Sequence, residues 1–186
     1  MSLDQDRRSF FIRKLESEKL LPENKHVLDL GPGLGDDIAF LANRGYEVDC
    51  VDKNPDVIAN IQSKNLKINC VIQDLAHFKI EKEKYGLIIA SNSLPFLPEK
   101  EKVDTVIQRM IDGLSKKGVM YLTLFGMHDE WQGKRIMSFF TEQEALGILA
   151  KSRVKIYWKN IEEGYGRTMN GSIKYWHIFK FICIKE

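Results

Sequence analysis

Two kinds of pattern alternate along the chain. Short runs rich in β-branched residues and Leu, at His26–Leu30, Glu47–Val51, Lys67–Ile72 and Gly86–Ser91, are bounded by glycine, proline or acidic residues and predict strands. Between them the apolar positions recur at helical spacing, from Asp36 to Gly45, from near Pro55, and over Glu99–Leu114. Gly45 suits a helix C-terminus, and Pro55 suits a first helical turn. Ahead of the first strand, residues 4–20 mix charge with Phe10, Phe11, Leu15 and Leu20, which predicts an amphipathic helix. After Gly118 come a long strand, Val119–Phe125, and a shorter helix, Glu142–Lys151. Two late strands, Arg153–Asn160 and Ser172–Ile184, flank the Gly/Asn-rich segment Glu162–Gly171, which reads as a hairpin loop.

Strand and helix in alternation predict an α/β fold. It is a doubly wound, Rossmann-like, mostly parallel seven-stranded sheet whose opening strands are buried on both faces. The closing hairpin adds an antiparallel C-terminal strand. No repeat, low-complexity tract or linker interrupts the pattern, so residues 1–186 read as one domain, with the N-terminal helical segment 1–24 placed to cap a site.

In such sheets a ligand lies across the carboxyl ends of the strands. After the first strand the chain reads VLDLGPGLGDD, with Gly31, Gly33 and Gly35 at alternate positions and a helix start at once. Backbone N–H groups converge there and no side chain obstructs approach. The second strand is followed by Asp52, the third by Asp74, and the fourth ends at Ser91 with Asn92 next. Asp52 lies 17 positions past Gly35, close to the spacing at which an acid reaches ribose hydroxyls. Asp74 can accept from an exocyclic adenine amine. Each acid alone could equally serve as a helix cap or turn residue. The spacing GxGxG is not the GxGxxG of a dinucleotide site, and Asp29, Asp36 and Asp37 would repel a pyrophosphate. The electrostatics favour a cationic adenosine ligand.

Composition narrows the class. With 44% hydrophobic and 29% charged residues and a net charge of +2, the chain reads as an ordinary soluble globular protein without the basic stripe of a nucleic-acid binder. Residues 151–186 carry eight Lys/Arg against three acids, which reads as a solvated basic face or an anion-attracting one. Cys50, Cys70 and Cys183 sit in strand-like runs without metal-ligand spacing, so no metal is expected and buried structural thiols are. Neither a signal peptide nor an apolar stretch of the roughly 20 residues that a membrane span needs is present. A cytoplasmic location is expected.

These stretches together resemble a class I S-adenosylmethionine-dependent methyltransferase over essentially the whole chain. VLDLGPGLGDD resembles the family's first motif, YEVDCVDKNP its second, INCVIQDL its third and GLIIASNSLPFL its fourth, which lines the methyl-donor site. GVMYLTLF resembles the fifth strand, and the terminal hairpin resembles the antiparallel last strand. The resemblance implies S-adenosylmethionine as cofactor. Asp29 and Gly31 would lie near the methionine moiety with Gly33 and Gly35 in the same loop, Asp52 and Lys53 at the ribose, Asp74 with Leu75 by the adenine, and Ser91 at the methyl-donor site. MSFFTEQE and the closing GYGRT…G…IK resemble small bacterial tellurite-resistance or thiol-type methyltransferases. Three departures are Pro32 in place of the commoner small or Cys residue, a strand opening Tyr85-Gly86-Leu87 where the family usually has an acid in place of Gly86, and no histidine beside Arg167.

Methyl transfer from a sulfonium needs alignment more than acid–base help, and the sequence contains no compelling base. The candidates for the acceptor side are His128, Asp129, Trp131 and Arg135, just past the fifth strand, and Arg167 in the closing loop. His177, inside YWHIF, reads as a satisfied sheet histidine. Phe10, Phe11 and Phe96 read as core packing or as cover for the site, and Arg7 and Arg8 as a solvated face. The expected activity is methyl transfer to a small-molecule acceptor. A methyltransferase for RNA or protein and a non-catalytic cofactor-binding protein are the alternatives, and a dinucleotide oxidoreductase is disfavoured.

Overall fold

The structure is a computed structural model that describes residues 9–186. Strands β1 (His26–Leu30), β2 (Glu47–Asp52), β3 (Ile68–Ile72), β4 (Tyr85–Ala90) and β5 (Leu114–Gly126) are parallel; β6 (Phe139–Phe140) adds a short parallel pairing to the end of β5. Strands β7 (Val154–Arg167) and β8 (Ile173–Lys185) form an antiparallel hairpin joined through β8 to β5. The order is β3-β2-β1-β4-β5-β8-β7, with β6 off this path. The order reverses beside β1, and that switch point opens a crevice at the carboxyl ends.

Helices α1 (Phe10–Ser17), α2 (Asp36–Asn43) and α3 (Pro55–Gln62) cover one face; α4 (Lys100–Gly113) and α5 (Glu142–Ala150) cover the other. Side chains alternate across each strand, so Val27 and Leu87 pack with Phe11, Leu15, Ile38 and Ile58, whereas Leu28 and Ile88 pack with Val106, Ile107 and Ile148. No described helix is long and apolar enough to cross a membrane.

The helix expected over 4–20 is shorter in its described part. Ser9 caps α1 by accepting from the Ile12 N–H, and Phe11 stacks on Tyr121 with centroids 4.0 Å apart. Described residues of the 1–24 segment pack on the sheet and do not line the cleft described below; the beginning of that expectation, with Arg7 and Arg8, lies outside the described residues. Phe10 is exposed against Trp158.

The largest difference from the sequence reading is Glu162–Gly171. Ladder pairing continues from Glu162↔Ile178 to Arg167↔Ile173, so most of the expected loop is strand and the turn is confined to residues 168–172. β7 is the outermost strand, and residues 159–163 are exposed without a break, so that stretch carries no alternation to read. Gly86 also acquires a reason. A Cβ there would lie 2.0 Å from the Asn24 carbonyl oxygen, in a corner where Asn24 Nδ2 donates to the Lys84 carbonyl at 2.9 Å. The cysteines are free, with Cys50 and Cys70 register partners on β2 and β3.

Candidate active site

A cleft of about 560 Å³ opens over the carboxyl ends of the central strands. Asp29 and the glycine loop line one end of it, and Phe96, Phe125, Trp131 and Trp176 line the other. The loop hugs the sheet. Gly31 donates its N–H to the Val51 carbonyl at 2.8 Å, and with φ +82° its missing Cβ would lie 2.5 Å from the Ser93 Cβ. Only glycine combines that backbone with that clearance.

Asp29 is 4% exposed, and its Oδ1 has no hydrogen-bond partner among the described residues. Burial, then the nearby charges of Asp37 and Asp52, push its carboxyl well above the usual carboxylate range. Asp37 also lines the cleft; burial raises it, although its Oδ1 accepts from the Ser9 N–H at 2.8 Å. Three carboxylates converge there, and Asp29 is buried with none of its own oxygens' charge matched by an ion pair among the described residues. That pattern marks a place for a positive ligand.

Asp52 and Asp74 each hold a turn. Asp52 Oδ1 accepts from the Asn54 N–H, and Asp74 Oδ1 accepts from the Ala76 N–H, both at 2.8 Å. These bonds are the turn roles that the sequence left open. The second oxygen of each makes no hydrogen bond among the described residues, and both residues line the cleft. Asn92 holds the end of β4: its N–H donates to Thr123 Oγ1 at 2.7 Å, and that hydroxyl donates to Asn92 Oδ1 at 3.0 Å.

The far end is aromatic. Trp131 and Trp176 meet edge to face at 5.4 Å, Phe125 meets Trp176 at 5.5 Å, and Phe96 meets Trp131 at 6.2 Å. Behind them Lys174 is buried against Asp129 in an ion pair. The hairpin tip closes over the glycine loop, with Arg167, Thr168 and Met169 in the lining and the Met169 Cε 3.7 Å from where a Gly33 Cβ would stand.

Comparison with known proteins gives this geometry a family. The model of the tellurite resistance protein TehB family matches residues 13–166. The chain belongs to the TehB family. Its fold superposes on TehB from Haemophilus influenzae with a TM-score of 0.76 at 22% identity, over 92% of this chain and 61% of that one. A SAM-dependent methyltransferase from Methanosarcina mazei gives 0.73 at 19% identity, over 91% and 96%. Phosphoethanolamine N-methyltransferase 1 of Arabidopsis thaliana is 30% identical over 123 residues, which are 62% of this chain and 25% of that protein. The chain thus spans about a quarter of that curated relative. The fold is the Rossmann-like fold of SAM-dependent methyltransferases.

In this TehB-family cleft the predicted donor residues Asp29, Gly31, Gly33, Asp52, Lys53, Asp74, Leu75 and Ser91 come together. Gly35 does not. It sits at the N-terminus of α2 with φ +74°, its N–H bonded to the Pro32 carbonyl, and a Cβ would lie 2.9 Å from Ile61. It shapes the turn at the start of the helix.

Of the acceptor candidates, only Arg167 and Trp131 line the cleft. Arg135 lies against the Trp131 ring, 4.4 Å from its centre, outside the lining. His128 turns away into a separate recess with His177. There Glu163 Oε1 lies 2.8 Å from His128 Nδ1 and 3.4 Å from His177 Nδ1. No metal spacing was visible in the sequence, yet the fold gathers one ligand atom from each of these three residues within 4.8 Å. His177 Nδ1 already accepts the His128 backbone N–H at 3.1 Å, so its lone pair is engaged and the trio is a hydrogen-bonded cluster. Sequence reasoning missed Trp176, Ser93 and Met169 as cleft residues, and used Asp37 for its charge beside the ligand without naming it among the binding residues.

Proposed function

We propose that this TehB-family protein is an S-adenosylmethionine-dependent methyltransferase acting on a small-molecule acceptor. The observation that carries the reading is the buried, unpartnered Asp29 oxygen beside a glycine loop, flanked by the carboxylates of Asp37 and Asp52. A cationic ligand satisfies that oxygen and relieves the mutual repulsion, whereas a pyrophosphate would meet three acids.

Asp29 with the Gly31 loop would hold the amino-acid end, the free oxygens of Asp52 and Asp74 the ribose and adenine, and Leu75 the base plane. When bound, S-adenosylmethionine supplies an electrophilic methyl group on a sulfonium. The chain contributes alignment: four aromatic rings and Leu97 wall the other end, so an acceptor there is held against the donor on an apolar surface. Among the described lining residues there is no His or Cys. With neither imidazole nor thiol in the lining, the cleft suits an acceptor that arrives as a competent nucleophile, as a thiolate or another soft anion does, and Arg167 adds a cation to the lining from the hairpin tip. The modest +2 charge argues for a small acceptor over RNA.

Calorimetry decides the donor. Micromolar binding of S-adenosylmethionine and S-adenosylhomocysteine, with none of NAD, is expected; the opposite pattern sinks the reading. Turnover over thiol, oxyanion and amine acceptors then defines the class.

A further inference from the structure

Three of the four rings at the aromatic end already hold a cation. The Lys174 ammonium lies 3.8 Å from the ring centre of Trp176, 4.3 Å from that of Trp131 and 5.4 Å from that of Phe125. The Arg135 guanidinium lies 4.4 Å from the Trp131 centre, so that ring carries two cations. Lys174 is 3% exposed and is fixed by its ion pair with Asp129, which is equally buried. Asp129 also accepts the Trp131 N–H at 3.0 Å and the His177 N–H at 3.3 Å. Its carboxylate is thus held by the backbone of two segments. The pair is neutral in sum but turns its positive end toward the wall of the cleft.

A ring attracts a cation because its faces are negative. A ring with an ammonium already in contact has that field offset. A second cation would also feel like-charge repulsion across the ring, through low dielectric. We infer that Lys174, held by Asp129, is a specificity residue of the acceptor pocket: it fills the aromatic cage with the chain's own cation and so excludes ammonium acceptors, leaving the wall to neutral or anionic nucleophiles.

Lys174 does not line the cleft and so acts through Trp131 and Trp176. Removing its charge alone would strand Asp129, the outcome that makes broken buried pairs so costly. The inference rests on the methyl-donor reading of the opposite end, and the experiment separates the two.

Full-length wild type and the double variant Lys174→Met/Asp129→Asn are titrated with S-adenosylhomocysteine by calorimetry. Each is then titrated with tetramethylammonium chloride by tryptophan fluorescence, with S-adenosylhomocysteine present. The expected result is no saturable tetramethylammonium response in wild type and a saturable one in the double variant, at least about tenfold tighter, with S-adenosylhomocysteine affinity within twofold. Lys174→Gln/Asp129→Asn, which also removes both charges together, is a second variant expected to shift the same way. Wild type binding tetramethylammonium as tightly as the variants overturns the inference; so do folded variants that gain nothing. Failure of S-adenosylhomocysteine to bind wild type overturns the donor reading instead, while the tetramethylammonium titrations still report on the cage.

Discussion

The two ends of the cleft are built by different means. The acidic end comes from residues on or just after consecutive strands, Asp29 in β1, Asp52 closing β2 and Asp74 two residues past β3, each placed by local backbone. The aromatic end draws Phe96, Phe125, Trp131 and Trp176 from separate segments, which are held by ring packing and one buried ion pair. The first design fixes where a ligand sits at little cost in packing. The second makes recognition and folding depend on the same contacts. Substitutions at the two ends should therefore fail in different ways.

The sharpest contrast is Asp29→Asn. It removes a charge-assisted contact worth roughly 1.5–3 kcal/mol, so S-adenosylhomocysteine affinity should fall about 10- to 100-fold by calorimetry. The same change removes an unmatched buried carboxyl, so the ligand-free protein should melt higher, with each kcal/mol gained worth roughly 2–4 °C. Lower stability together with unchanged affinity would break the assignment.

At the other end, Phe96→Ala tests the acceptor wall. Phe96 is 45% exposed on a single 3-10 turn, Leu94–Phe96, so its loss should cost little stability. Acceptor KM should rise about tenfold while cofactor affinity stays within twofold. Equal losses in both would mean that the ends are not separable.

A pH series sharpens the acidic end further. The folded, ligand-free state holds the Asp29 proton more tightly than the unfolded chain does, so its stability should fall as pH rises from the ordinary value near 3.8 through the raised one. Affinity for a cationic ligand needs the carboxylate and should rise over that same window. In Asp29→Asn the Asp29 component of both slopes should vanish, which thermal melts and calorimetry across pH would show.

The smallest effect on binding is expected at Gly35. Gly35→Ala forces a side chain into a left-handed backbone 2.9 Å from Ile61 and should cost about 1–2 kcal/mol of stability, read by denaturant titration, with near-normal cofactor affinity. A specific loss of affinity would return Gly35 to the ligand wall.

The difference in construction also decides what could be read in advance. β1 and β4 are buried and parallel, so they appear as near-continuous apolar runs, β2 interleaves apolar with acidic residues, and the acids and glycines beside them keep fixed spacings. Residues 159–163 of β7 have no such signature because that stretch of the edge strand is exposed without a break. β6 is two residues long and leaves no pattern. Trp176 was hidden within an apolar run, because alternation alone cannot tell a core ring from a cleft ring. His128 misled for a geometric reason. β5 continues to Gly126, and the turn after it swings the imidazole toward His177, away from the cleft.

The unmatched oxygen of Asp29 has a consequence for the protein's lifetime. A fold that carries an unsatisfied buried acid until a positive ligand arrives opens more often when empty than when loaded, and proteolysis acts on the opened form. Its abundance should then follow the supply of its ligand: copies without one are cleared first, and a pulse of S-adenosylhomocysteine should slow protease digestion of the wild type far more than that of Asp29→Asn.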